Sequence, residues 1–293
     1  VELNERYKGL KLPEIWCADL KRERKLKNMQ SHFTPMILEE MQSALNKGEQ
    51  VMLFQNRRGY TPLWSCEVCN WTPKCTNCDV SLTYHKHSNL LKCHYCSFTT
   101  APVGSCTACG SNRLQMLGFG TEKIEDELSI MFPNKVVKRL DLDTTRSKHA
   151  YEEIIEEFEQ RRIDILIGTQ MITKGLDFDH VSMVGILDAD MLLNRPDFRA
   201  YERSYQLMSQ VAGRAGRKDK RGKVIIQTGN PDHWVIQLVQ EHDYKGFYQQ
   251  EIIERQNFFY PPFYKMIQLT LKHTNEQMVH AASIELADQL KAV

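Results

Sequence analysis

Long apolar runs are missing from this 293-residue chain. No stretch approaches the roughly 20 residues that cross a bilayer as a helix, and the opening VELNERYKGL is not a basic-then-apolar leader. An excess of one charge is missing too: 38 Lys and Arg face 37 Asp and Glu, for a net charge of +1. Any electrostatic case for nucleic acid must therefore rest on local runs such as KRERKLK (21–27) and RKDKRGK (217–223). Each of these reads first as a solvated face or loop. No G-x-x-x-x-G-K-[ST] string occurs, so these residues cannot by themselves form the loop that cradles β- and γ-phosphates. The first residue is not methionine, and the last residues, ELADQLKAV, read as the inside of a helix, so both ends read as cuts. Hydrophobic residues at 42% and charged residues at 26% are the proportions of a globular chain that buries a core.

Cysteine is scarce except in one place. Cys17 stands alone and reads as a buried small hydrophobe. The other eight form four C-x-x-C pairs: Cys66/Cys69, Cys75/Cys78, Cys93/Cys96 and Cys106/Cys109. A C-x-x-C turn aims two thiolates at one point, and two turns complete a tetrahedral Zn²⁺ site. Four turns make two closed sites, structural rather than catalytic because neither keeps an open position. Disulfides and iron–sulfur clusters use the same side chain, but paired knuckles in an otherwise cysteine-poor chain favour zinc. His85, His87 and His94 lie among the cysteines and read as surface residues, since the ligand count is already full. The segment is short and polar, so the metal must supply most of its folding free energy. Spacing leaves the pairing open. A nested arrangement joins Cys66 and Cys69 to Cys106 and Cys109, and Cys75 and Cys78 to Cys93 and Cys96. A sequential arrangement competes with it.

Around this segment, helices alternate with short strands that carry almost no polar alternation. TPMILEEMQSALNKG reads as a helix capped by Thr34 with Pro35 in its first turn. QVMLFQN (50–56) reads as a buried strand. After the cysteines come a helix capped by Thr121, the strand KVVKRLD, a helix capped by Ser147, the strands DILIGT and VSMVGILDAD, a long helix ending in QVAG, and the strand GKVIIQT. Strands buried on both faces predict a parallel sheet covered by helices. The expected fold is α/β over 1–61 and 114–257, with the cysteine module inserted at 62–113. Adjacent prolines in NFFYPPF (257–263) open a third region at 258–293, expected as an α+β fragment with a strand over YKMIQLTLKH and a final helix.

Three blocks are expected at strand ends, where open α/β sheets bind ligands: FQNRRGY (54–60), IGTQMITKGLDF (167–178) and QVAGRAGR (210–217). Gly168, Thr169, Gln170, Thr173 and Lys174 offer donors to a phosphate, and Asp177 can accept from a ribose hydroxyl. GTQMITKGLDF resembles motif V, and QVAGRAGR motif VI, of superfamily 2 helicases. LFQNRRGY running into four C-x-x-C pairs resembles, more narrowly, the PriA family of bacterial replication-restart DNA helicases. That resemblance extends through GFGTEKIEDEL, LDAD and PDFRAYER to YPPF.

The resemblance implies a second RecA-like motor lobe of an ATP-dependent, 3′ to 5′ helicase that works on forked and single-stranded DNA. Arg214 and Arg217 then reach the γ-phosphate as arginine fingers, and Gln210 senses the nucleotide. Gly175 and Asp177 couple nucleotide to DNA. Thr169 and Gln170 touch the DNA backbone, as do Asn56, Arg57 and Arg58 in the motif IV region. ATP and Mg²⁺ belong to the full motor, and two structural Zn²⁺ to the module. The implied partners are single-stranded DNA-binding protein, PriB, DnaT and the machinery that loads the replicative helicase. The implied location is the bacterial cytoplasm, at the nucleoid. DADM (188–191) lies between motifs V and VI, the wrong place for an acidic DEAH-type box. Without that box and the phosphate loop, these residues alone are expected to be inactive. A zinc-ribbon nucleic-acid module leaves motifs V and VI as accident. A different superfamily 2 translocase, RecG-like for example, leaves the cysteines unexplained.

Overall fold

The computed structural model describes residues 11–55, 63–66, 68, 71, 73, 75–76, 82–85, 89–93, 98–117, 120–141, 144–145, 147–173, 178–194, 198–216, 221–267, 269–273 and 275–291. Contacts divide the chain after Phe247 into two units. The first unit is built on six parallel strands: β1 (Glu14–Asp19), β2 (Gln50–Phe54), then, beyond the cysteine module, β8 (Val137–Leu140), β9 (Ile165–Gly168), β10 (Val181–Ile186) and β11 (Lys223–Thr228). The module between them contributes β3 (Leu63–Cys66), β4 (Thr83–His85), β5 (Leu90–Lys92), β6 (Thr99–Thr100) and β7 (Leu114–Leu117). The parallel sheet has the order β1-β11-β10-β2-β9-β8, as the unbroken apolar strands predict. β2 and β9 are buried at every position. β1 and α1 (Leu20–Leu26) were not expected. EIWCAD is short and half exposed, and it forms because β11 offers it a full parallel register from Glu14–Lys223 to Asp19–Thr228.

Successive strand residues serve opposite cores. Met52, Leu166, Val184 and Ile226 face α4 (Lys148–Glu159), α6 (Ala200–Ala212) and α7 (Trp234–Gln240). Leu53, Ile167, Met183 and Ile225 face α2 (Pro35–Asn46) and α3 (Thr121–Met131). This period-2 division of an apolar strand between two covered faces is what hides the alternation in the sequence.

Helix starts follow the sequence with two corrections. Ser147 caps α4 as expected, its Oγ accepting the Ala150 N–H. Thr34 stands at the N-cap of α2 as expected, yet its buried hydroxyl makes no capping bond, while its N–H donates to Gln227 Oε1 at 2.8 Å. Thr121 is not the cap of α3. Gly120 is, and Thr121 instead donates from its first-turn hydroxyl to the buried carboxylate of Asp141 beyond β8. A buried carboxylate that must be hydrogen-bonded claims the hydroxyl before a helix end does.

β3 to β7 form a separate antiparallel sheet of order β6-β5-β4-β3-β7. β7 pairs with β3, so the sheet of the cysteine module reaches Leu117, past the 62–113 span expected from the cysteines. In the second unit, α9 (Glu276–Lys291) forms as expected, but the described residues of YKMIQLTLKH form no strand. A lone strand has no ladder to join, and Ile267 there is 84% exposed. No helix among the described residues is long and apolar enough to cross a membrane.

Gln227, wholly buried, ties the chain together at the strand ends. Its Oε1 accepts from Thr34 N, and its Nε2 donates to His32 O at 2.9 Å and Leu187 O at 3.2 Å. Replacing it by Leu keeps the volume and leaves three buried backbone groups unpaired. Gln227→Leu is expected to lower unfolding stability by about 3 kcal/mol, read by urea denaturation; a loss within experimental error would show that water replaces the side chain.

Candidate functional site

The described parts of the first two predicted blocks, 54–55 and 167–173, lie at the C-terminal ends of β2 and β9. Gln55 follows β2, is buried, and donates its N–H to Gly168 O at 2.9 Å. Asn56, Arg57 and Arg58 lie outside the described residues. β9 ends at Gly168, where a Cβ would stand 2.1 Å from Ile172 Cγ2. Only glycine lets the chain fold straight into the 3₁₀ turn Gln170–Thr173. Thr169, 2% exposed, is pinned by its N–H to Leu140 O, and its buried hydroxyl has no hydrogen-bond partner among the described residues. A buried hydroxyl left open at a strand end can still take a ligand oxygen. Lys174, Gly175 and Asp177 lie outside the described residues.

The third block is elsewhere. QVAGRAGR closes α6, which runs back down the sheet, and the loop after it reaches the opposite edge. Gly216, at φ 73°, donates its N–H to Val181 O at the first residue of β10. Gly222, just before β11, lies so close that a Cβ there would be 2.3 Å from Gly216 N. The expectation that all three blocks share one set of strand ends is therefore corrected. The helix connecting β10 to β11 must return to the start of β11, so its last residues lie beside strand beginnings. Arg214 is half-buried in this loop, and burial pushes its guanidinium pKa down. It stays charged, since arginine does not give up its proton in proteins. Arg217 lies outside the described residues.

α6 bridges the two edges. Its outer residues Arg203, Gln206 and the exposed Gln210 line one cleft of about 810 Å³ with Gln170 of the 3₁₀ turn and Tyr244. Gln170 and Gln210, expected in different roles, thus share a wall. Arg203 and Gln206 were missed, although positions 203, 206 and 210 fall on one helical face. The carboxylates of LDAD are engaged in structure. Asp190 accepts from Thr228 Oγ1 at 2.7 Å and from the Gly229 N–H, and Asp188 accepts from the Met191 N–H.

In the cysteine module, three knuckles close in the same way: the N–H of Cys66, Cys93 and Cys106 each donates to the carbonyl five residues on, in Trp71, Phe98 and Ser111. The sulfurs of Cys66, Cys106 and Cys109 lie within 4.8 Å of one another, with Cys66 and Cys109 3.6 Å apart. Two thiolates on one tetrahedral zinc stand about 3.8 Å apart, so these three fit a common ion. Cys75 and Cys93 are buried together with Leu82 and Leu91. Cys69, Cys78 and Cys96 lie outside the described residues. Cys17 is only partly buried, and desolvation raises its thiol to about 12, which leaves it inert.

Residues 75–100 match the PriA DNA helicase Cys-rich region domain, and residues 111–219 match the helicase conserved C-terminal domain. The replication restart protein PriA of Bacillus subtilis is 41% identical over 292 residues, covering 100% of this chain and 36% of that protein. The PriA of Haemophilus influenzae is 41% identical over 248 residues, 85% of this chain and 33% of that protein. The chain thus spans about a third of the length of these curated relatives. Among solved structures, RecG bound to a three-way DNA junction is similar at a TM-score of 0.44 and 13% identity, covering 85% of this chain and 22% of that one.

Two histidines tie the first unit to pH. His233 caps α7 by accepting the Val235 N–H on Nδ1, which only the neutral ring can do. Burial lowers its pKa against the opposing pull of Asp190. Burial also lowers that of His32, outweighing Glu127, whose carboxylate lies 2.8 Å from Nδ1. Groups depressed in the folded state contribute stability above their unfolded pKa and lose it as pH falls through the folded one. Melting temperature is expected to drop as pH falls from about 7 to 5, with a shallower drop in His233→Asn. A pH-independent melt over that range would contradict both assignments.

Proposed function

We propose that this chain, which belongs to the PriA family of replication restart proteins, is the second RecA-like lobe of an ATP-dependent 3′ to 5′ DNA helicase that acts at stalled or abandoned forks and starts primosome assembly. The observation that carries this is the order of parts: a parallel RecA-like sheet interrupted directly after β2 by the paired-cysteine sheet and resumed through motifs V and VI. Nucleotide would be held by a lobe carrying a phosphate loop and Mg²⁺, which these 293 residues do not contain.

In this reading Arg214 and Arg217 stabilise charge on the transferring phosphoryl group. A guanidinium already taken partly out of water loses little hydration when it meets that charge, and its field is less screened. Gln210, one face of α6 away, reports the nucleotide to Gln170 across the shared cleft, and Gly175 and Asp177 carry the same coupling. Thr169, Gln170, Asn56, Arg57 and Arg58 grip the DNA backbone. Single-stranded DNA-binding protein and primosome proteins such as PriB and DnaT are the partners expected for the whole assembly.

The module holds two zinc ions in the nested arrangement: Cys66, Cys69, Cys106 and Cys109 on one, Cys75, Cys78, Cys93 and Cys96 on the other. The three gathered sulfurs and the shared burial of Cys75 with Cys93 favour it over sequential pairing. Metal analysis should return two zinc per chain, falling to one in Cys106→Ser. A drop to one in which Cys66 and Cys75 become mutually dependent would establish sequential pairing instead.

The motor assignment is tested in the protein that joins this chain to a phosphate-loop lobe. Arg214→Ala or Arg217→Ala should cut DNA-dependent ATP turnover by about 10³-fold while nucleotide affinity stays within a few fold. Turnover that survives both changes, or DNA-dependent turnover by the 293 residues alone, would overturn the assignment.

A further inference from the structure

The basic run at 21–27 has no part in the motor assignment, yet the fold gives it a place. β1 is parallel to its neighbours, so α1 begins where β1 ends, at the C-terminal edge that also carries Thr169 and Gln170. The start of α3 is on that edge as well, since Thr121 bonds Asp141 just beyond β8. The loop before α2 joins the two through the His32–Glu127 pair.

Lys21, Arg22, Lys25 and Lys27 are exposed, and among the described residues they make no ion pair. The carboxylates between them are engaged locally. Asp19 caps α1 by accepting the N–H groups of Lys21 and Arg22 at 2.9 and 3.1 Å. Glu23 accepts from Asn28 at 2.9 Å, and Glu127 accepts from Ser31 at 2.7 Å while pairing with His32. Lys123, in the first turn of α3, and Arg24 both lie near enough to His32 for their charges to act on its ring. Lys123 is itself paired with Glu127 at 3.9 Å, so in a chain of net charge +1 it is Lys21, Arg22, Lys25 and Lys27 that stand at this edge with no ion pair among the described residues.

Resting on the reading of the chain as a DNA motor lobe, we propose that α1 is a further backbone-contacting element: Lys21, Arg22 and Lys25 bind phosphates of the nucleic-acid strand that passes Thr169 and Gln170. The contact is independent of sequence, because ammonium and guanidinium groups directed at phosphates read no base edges. An acidic protein is the competing occupant. The shared edge favours nucleic acid, since a strand gripped at the ends of β9 extends along the same edge and carries regularly spaced charge past α1.

The test is the salt dependence of single-stranded DNA binding by the 293-residue chain, read by anisotropy of a labelled oligonucleotide. Lys21→Gln/Arg22→Gln/Lys25→Gln should weaken binding and make the slope of log K against log salt shallower by about 2, with an unchanged melting temperature because all three groups are exposed. The conservative Lys21→Arg/Lys25→Arg should keep the wild-type slope. An unchanged slope in the triple variant, with wild-type binding intact and weakened by Gln170→Ala, overturns the role of α1 and leaves the motor reading standing. Loss of polyglutamate binding with DNA binding kept would mark α1 as a protein-docking face and also overturn it. A wild-type chain with no salt-dependent DNA binding brings down the motor reading itself.

Discussion

Burial of the parallel sheet on both faces governs where everything else in this lobe can be. Val51 to Phe54 and Ile165 to Ile167 have no exposed position, so no functional group can stand on the faces of these central strands. Around them, polar chemistry is confined to the strand ends, the edge strands β1 and β8, and the outer faces of the covering helices. The same burial makes the ends costly to arrange, because every backbone group that leaves the ladder there needs a new partner. Gln227 supplies three of those partners, the Thr121–Asp141 bond secures another end, and Asp190 closes the turn after β11.

The constraint also explains why motifs V and VI are not neighbours along one edge. Motif V leaves the end of β9 and must travel to the start of β10, while α6 returns from the end of β10 to the start of β11. The two paths converge where β10 begins, and Gly216 bonds Val181 there. Two glycines mark the tightest points. Gly168 lets the chain turn off β9 against Ile172, and Gly222 lets the motif VI loop press against the entry to β11. A side chain at Gly168 would force Ile172 and the 3₁₀ turn to shift, and one at Gly222 would collide with the backbone of Ala215 and Gly216.

Much of this was legible in the residues. The buried strands, the helix begun by Pro35, the Ser147 cap and the insertion of the cysteine module follow from apolar runs, capping residues and spacing, though its antiparallel sheet does not. What was not legible depended on partners far away in the chain. EIWCAD has little strand character of its own and becomes β1 only because β11 presents a matching ladder. Thr34 is the N-cap its position predicts, but Thr121, of the right type, is not a cap because an aspartate 20 residues away takes its hydroxyl. YKMIQLTLKH alternates as a strand should, and without a neighbouring ladder its described residues form none. The place of the described part of QVAGRAGR at the strand beginnings was hidden for a similar reason: sequence shows that a helix precedes β11 but not at which edge of the sheet its end lies.

The site residues divide by the same logic. Cysteine spacing names ligands without saying which pairs meet, because pairing is set by how β3 and β7 bring Cys66 toward Cys106 and Cys109. Motif strings name Gln170 and Gln210 without saying that α6 puts them on one cleft wall. The rigid element between them is a single helix whose inner face, Ser204, Tyr205, Met208 and Val211, is buried against the sheet. A packed core transmits a displacement rather than absorbing it. Any displacement of the loop after α6 must therefore either shift the helix bodily or break the Gly216–Val181 bond. The first alternative leaves the ladder intact and needs only a sliding of one helix face, which makes it the less costly of the two.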